Sequence, residues 1–153
     1  MLPLGHTGIT ALVARRLDRA ADLRAVAIAA VLPDLVDKPI AFLFPGFARG
    51  WTRLAGHSLL FLALFALVAG LAWRRRALVL VLACALHLVL DLNFDIPHTT
   101  FWPFLGLVPP PHPVPYMERL WEKLNLYTLG GEVAGAACWA ALWWEVRRSR
   151  ERR

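Results

Sequence analysis

A chain of 153 residues is long enough for one domain and too short for two comfortable ones, so a single domain over 1–153 is expected. With 58% hydrophobic residues and a mean hydropathy of +0.51, it lies beyond the range of an ordinary soluble domain. The net charge of +6 is gathered in runs such as Arg74-Arg75-Arg76 and the tail at 147–153, with long apolar stretches between. That spacing argues against a nucleic-acid binder and for positive-inside anchoring in a membrane.

In chain order, the hydropathy pattern predicts an all-α integral membrane bundle of about five helical segments. Two are short, 3–14 and 25–35, and are separated by the charged stretch 15–24. Three more, 56–73, 77–93 and 128–146, come close to the roughly 20 residues that cross a bilayer. The pair 56–73 and 77–93 is joined only by Arg74–Arg76, which predicts a tight antiparallel hairpin. The N-terminus has no basic region ahead of its apolar stretch, so no cleavable signal peptide is expected. Cys84 and Cys138 lie inside apolar segments and read as small buried hydrophobes rather than a disulfide.

Orientation follows from the basic residues. Most of the 17 Lys and Arg fall in 15–24, 74–76 and the tail, which therefore face the cytoplasm. Only Lys38, Arg49, Arg53, Arg119 and Lys123 remain for the other side. The N-terminus is then outside, 147–153 is a basic cytoplasmic tail and 94–127 is an extracytoplasmic loop. Trp73, Trp143 and Trp144 fall at the inner ends of their helices, and Trp51 and Trp102 near the outer ones. Within the loop, the proline run at 109–115 favours an extended chain, and 117–126 reads as a short amphipathic helix.

Ionisable residues inside apolar helices are costly, so each is a functional candidate. The set is His6, Asp34, Asp37, His57, His87 and Asp91. In this topology four separate segments deliver them to one level near the outer face. His87 and Asp91 share a helix face at i, i+4, and Asp34 and Asp37 do so at i, i+3 if the helix survives Pro33. Imidazole with carboxylate suits Zn, Mn or Fe, and a divalent ion offsets the cost of burying several carboxylates together. Arg53, four residues before His57, is placed to pair an aspartate or grip a phosphate. Other readings stay open: Asp34 capping a helix that starts at Leu35, Asp91 pairing Arg53 structurally, and single histidines bonding nearby carbonyls. His98 and Asp95 lie within reach of the outer mouth or in a solvated loop. His112 sits in the proline run. Glu132 is a general base, a metal ligand or an interfacial residue.

Several motifs are then in place: His6 with Gly8, Leu-Pro-Asp-Leu-Val-Asp-Lys-Pro at 32–39, Arg53-Leu-Ala-Gly-His57-Ser-Leu, and His87-Leu-Val-Leu-Asp91. Over residues 5–105 they resemble the YdjM-like family of bacterial inner-membrane proteins, read as metal-dependent hydrolases and in part LexA-regulated. The resemblance implies His6, Asp34, His57, His87 and Asp91 as metal ligands. Thr52-Arg53 stands where the family commonly has His-Arg, and Asp34-Leu-Val-Asp37 where it often has Asp-x-Asp. A remoter likeness is to zinc-dependent phospholipase C and its nuclease relatives, in which His98 fills the place of a further histidine.

The function expected is a membrane-embedded hydrolase with one or two divalent ions, Zn before Mn or Fe. It would cleave a phosphoester of a lipid or lipid-linked phosphate at the extracytoplasmic face of a bacterial inner membrane. His6, Asp34, His57, His87, Asp91 and His98 are the metal ligands, Asp37 or Glu132 the general base, and Arg53 the group that stabilises charge on phosphate. The alternatives are a non-catalytic metal-binding protein for transport or sensing, and an assembly protein whose polar residues only lock helices together. Nothing in the sequence sets an oligomeric state.

Overall fold

A computed structural model describes residues 2–114 and 125–151. Most of the amphipathic helix expected at 117–126 lies outside these residues. All described secondary structure is helical: α1 (Pro3–Leu17), α2 (Leu23–Leu43), α3 (Pro45–Ala48), α4 (Leu59–Leu90), α5 (Pro97–Thr100) and α6 (Leu126–Glu151). Short 3-10 turns occupy Ala55–His57 and Asn93–Asp95.

Local chemistry explains most of the boundaries. Pro3 opens α1, where a missing N–H costs nothing, and Arg15 and Arg16 close it at the negative end of the helix dipole. The Asp22 carboxylate caps α2 by accepting from the amides of Arg24 and Ala25. The α2 helix then continues through Pro33 and Pro39, well past the segment expected at 25–35. Asp34 therefore does not cap a new helix at Leu35; it stands inside α2, one turn before Asp37. An interior proline costs about 3 kcal/mol through its lost hydrogen bond. One carbonyl past the one that Pro33 leaves unbonded, Ala30 O accepts from His87 Nδ1 at 2.7 Å and ties this turn to α4.

Ser58 starts α4 by accepting from Phe61 N at 3.0 Å. The helix loses helical geometry at Trp73 and Arg74, leaving two arms, 59–72 and 75–90. An unbroken helix would hold residues 57 and 87 about 45 Å apart. Instead their imidazole nitrogens approach to 3.1 Å, so the arms double back as the sequence requires. The break sits beside the α1–α2 turn, where Arg76 meets Asp22 at 3.9 Å. That end of the bundle is rich in arginine, and His6, His57 and His87 gather with Asp34, Asp37 and Asp91 at the other.

The α1 and α6 helices run side by side in the same direction and touch backbone to backbone. A Cβ on Gly8 would lie 2.1 Å from Gly135 O, and one on Gly135 would lie 2.2 Å from Leu4 O. Only glycine permits this crossing, and Trp139 Nε1 adds a bond to Thr7 Oγ1 at 3.3 Å. Elsewhere the core is built chiefly of alanine: Ala14, Ala21, Ala29, Ala30 and Ala83 pack with Val26 and Leu80. The large apolar side chains point outward instead, with Phe42 85%, Leu71 75% and Val133 70% exposed. A soluble protein buries such residues and rarely exposes so many.

One expectation changes. No helix among the described residues is long and apolar enough to cross a membrane, against the three full spans expected. The break at Trp73–Arg74 limits the arms of α4 to about 21 and 24 Å, below the roughly 30 Å of a hydrocarbon core. Asp34, Asp37 and Lys38 interrupt α2, and Gly, Thr and Glu residues dilute α6.

Candidate metal centre

Where the arms of α4 return to α2, six polar side chains meet in the interior. His6, Asp37, His57 and His87 are fully buried, and Asp34 and Asp91 nearly so. They arrive on four pieces of structure: His6 on α1, Asp34 and Asp37 on α2, His57 on the 3-10 turn before α4, and His87 and Asp91 at the far end of α4.

Asp37 organises the turn that carries His57. Its Oδ2 accepts from Leu54 N (2.6 Å), His57 N (3.2 Å) and His57 Nδ1 (2.7 Å), and its Oδ1 accepts from Gly56 N (2.7 Å). A Cβ at Gly56 would lie 2.7 Å from Asp37 Oδ1 and 2.9 Å from Pro33 O, so glycine is required for the loop to close on α2. Asp37 was expected as a general base. The structure places it behind His57 instead, with both oxygens already accepting.

These bonds determine where the histidine lone pairs lie. A carboxylate and a carbonyl only accept, so His57 Nδ1 donates to Asp37 and His87 Nδ1 donates to Ala30 O. Each neutral ring then carries its lone pair on Nε2, and the two Nε2 atoms face each other at 3.1 Å. Two such lone pairs repel unless a positive charge, a shared proton or a metal ion, lies between them. Two imidazoles on a tetrahedral zinc would sit about 3.3 Å apart.

Carboxylates complete the surround. From His57 Nε2, Asp91 Oδ2 is 3.7 Å away and Asp34 Oδ1 3.8 Å, and His87 Nε2 is 4.0 Å from Asp91 Oδ2. His6 stacks on His87 with ring centroids 4.1 Å apart, and its Nε2 lies 3.0 Å from Asp91 Oδ1. His6 Nδ1 is buried without a hydrogen-bond partner. Two groups have metal-ligand spacing: His6, His87 and Asp91, and Asp34, His57 and His87. Together they are five of the six ligands expected, joined through His87. The buried donor set, two imidazole lone pairs with two carboxylates, fits a divalent cation.

Two cations lean on this cluster. Arg53 Nε meets Asp91 Oδ2 at 3.0 Å, and Lys38 Nζ meets Asp34 Oδ2 at 2.6 Å. Arg53 also lines a cleft of about 40 Å³ with His98, Thr99 and Trp102, room for two or three waters.

Two more expected residues lie elsewhere or act differently, and one unexpected residue supports the site. His98, expected as a ligand, belongs to neither group; its ring packs edge-on against Trp51 at 4.3 Å, because α5 turns it towards the outer loop. Glu132, expected as a base or ligand, accepts from Gly5 N at 2.8 Å and so caps the first turn of α1 from α6. Asn93 went unnoticed in the sequence, although a polar residue two positions past Asp91 was a usable signal. Its Nδ2 donates to His57 O at 2.6 Å and to Thr100 Oγ1 at 3.0 Å, tying the His57 turn to α5.

Trp51 also packs on His112 and donates to Pro110 O at 2.7 Å, which straps the proline run over this end of the bundle. Burial and the neighbouring charge of His112 push the His98 pKa below its ordinary 6.5. The folded protein therefore resists a proton that the unfolded chain accepts. Its stability contribution is complete above pH 6.5 and drains as pH falls below it. His98→Gln should flatten this dependence, so melting temperatures at pH 7 and pH 5 should differ less in the variant than in the wild type.

No curated protein and no solved structure matches the chain, so nothing there shows the likeness to zinc-dependent phospholipase C. A family model does match, described as YdjM inner membrane protein, and it spans residues 1–151. The order of His6, Asp34, His57, His87 and Asp91, now seen gathered at one end of a helical bundle, belongs to a chain that is a member of the YdjM inner membrane protein family.

Proposed function

We propose that this protein is a membrane-embedded, metal-dependent hydrolase that cleaves a phosphoester of a lipid at the outer face of the inner membrane. The observation that carries the reading is the opposition of His57 Nε2 and His87 Nε2 at 3.1 Å, with both Nδ1 atoms already engaged. The membrane setting is supported by the alanine-rich core, the outward Leu and Phe side chains, and the basic end formed by 15–24 and 74–76. In that setting the helices sit as a bundle with short or interrupted spans, the polar cluster covered by protein rather than lipid.

His57, His87, Asp34 and Asp91 are the ligands, with His6 completing the set from α1. A divalent ion held there would supply a water of lowered pKa and polarise a phosphoryl oxygen. Asp37 and Ala30 O fix the tautomers, so both imidazoles present a lone pair without reorganising. Arg53, anchored on Asp91 and lining the wet cleft, stabilises negative charge developing on the phosphate. Asp37 and Glu132 are committed to backbone amides, so neither is free to act as the general base.

A purely structural lock is the second reading, favoured by the ion pairs of Arg53 with Asp91 and Lys38 with Asp34. Metal analysis separates the two. Purified full-length protein should carry one or two equivalents of zinc, manganese or iron, and His87→Ala should lose the metal and all turnover of a lipid phosphodiester while keeping its helical circular dichroism. Wild-type protein that holds no metal after reconstitution would leave only the structural lock.

A further inference from the structure

Beside the metal cluster, along the Lys38 edge of α2, lies a groove of about 550 Å³. It is lined by Lys38, Ala41 and Phe42 of α2, Pro45 and Ala48 of α3, and Trp51. That volume is within the range of small-molecule sites, whereas the Arg53 cleft, at about 40 Å³, is too small for anything beyond a few waters. Among the described lining residues Lys38 carries the single charge, and its Nζ is the point where the groove meets Asp34 and so the cluster. The Lys38 side chain is half exposed, which leaves its ammonium open to a ligand as well as to Asp34.

A wall of alanine, proline and aromatic rings ending in one ammonium matches a particular amphiphile, a hydrocarbon chain ending in an anionic phosphate. We propose that this groove is the substrate seat of the site described above, with Lys38 as its specificity-determining residue. The chain lies along Phe42, Pro45 and Trp51, and the phosphate rests on Lys38 next to Asp34. The inference rests on the hydrolase reading for its purpose, but binding at the groove needs no turnover.

The charge complementarity favours a phosphate-bearing lipid over a neutral one. A zwitterionic choline headgroup would set its own cation against Lys38. Free inorganic phosphate would satisfy the lysine but leave the apolar wall unused, so it should bind far more weakly.

The test uses full-length protein in neutral maltoside detergent, loaded with oleoyl lysophosphatidic acid and read by native mass spectrometry and calorimetry. Wild type should bind one equivalent and prefer it to oleoyl lysophosphatidylcholine. Lys38→Gln should weaken that binding about tenfold or more and erase the preference, while Lys38→Arg restores it. Ala41→Trp, which fills the groove, should weaken binding of both lipids. Equal affinity in wild type and Lys38→Gln would overturn the proposal, as would binding untouched by Ala41→Trp or displaced by inorganic phosphate at equal concentration. The metal content of each sample is measured alongside. Groove binding in protein that takes up no metal would sink the hydrolase reading and leave the groove as a lipid-phosphate site that is not a substrate seat.

Discussion

Asp37→Leu should yield no folded protein, and Asp37→Asn should fold but bind its metal roughly 10- to 100-fold more weakly. The carboxylate accepts from three buried backbone amides, those of Leu54, Gly56 and His57, and from the His57 ring. Leucine leaves all three amides without an acceptor, at about 1–3 kcal/mol each. Their sum rivals the roughly 5–15 kcal/mol that keeps a typical domain folded. Asparagine keeps the shape but replaces one accepting oxygen with a donor, which must oppose either the Gly56 amide or the His57 turn. The ring then loses the partner that holds its Nε2 lone pair towards His87. Metal titration followed by isothermal calorimetry reads the affinity, and circular dichroism in detergent confirms the fold. Unchanged affinity in a folded Asp37→Asn protein would show that His57 is not a ligand oriented in this way.

Gly135→Leu is the second large effect expected, and it acts through geometry alone. Its new Cβ would stand 2.2 Å from Leu4 O and 2.7 Å from the Gly5 Cα, both backbone atoms that cannot swing aside. The α1 and α6 helices must part, at the 1–3 kcal/mol usual for overpacking or more. Separation also costs the Glu132 cap on Gly5 and the Trp139 bond to Thr7. His6, one residue after Gly5, moves with them, away from His87 and Asp91. A clear fall in melting temperature and a weakened metal site should therefore appear together. Gly130→Leu is the control, because a Cβ there meets nothing within 4 Å. It should be neutral or slightly stabilising, as leucine is the better helix former. Equal behaviour of the two variants would mean that the α1–α6 crossing is looser than described.

Much of the site was legible because it depends on periodicity. His87 and Asp91 share a face on any helix, and the alternation of segments across 74–76 returns His57 and His87 to one level whatever the side-chain details. The convergence of His6, Asp34, His57, His87 and Asp91 followed from counting helices, and the α4 hairpin realises it. Local signals were less dependable where tertiary contacts intervened. At Pro33 the sequence left the helix's continuation open, and α2 passes through it, with the Pro33 carbonyl against Gly56 and the Ala30 carbonyl bonded to His87.

By itself, then, the sequence determined the all-helical class, the arginine-rich end, the end where histidines and aspartates gather, and the five residues that meet, since these depend on composition and on the 3.6-residue repeat. Tertiary structure alone decided what each carboxylate does. Asp37 serves the His57 turn, Glu132 caps α1, His98 turns to Trp51, and Asp34 and Asp91 face the histidine lone pairs. The physical reason is that an oxygen's role depends on the donors within about 3 Å of it. Here those donors come from parts of the chain distant in sequence, so hydropathy and spacing carry no record of them.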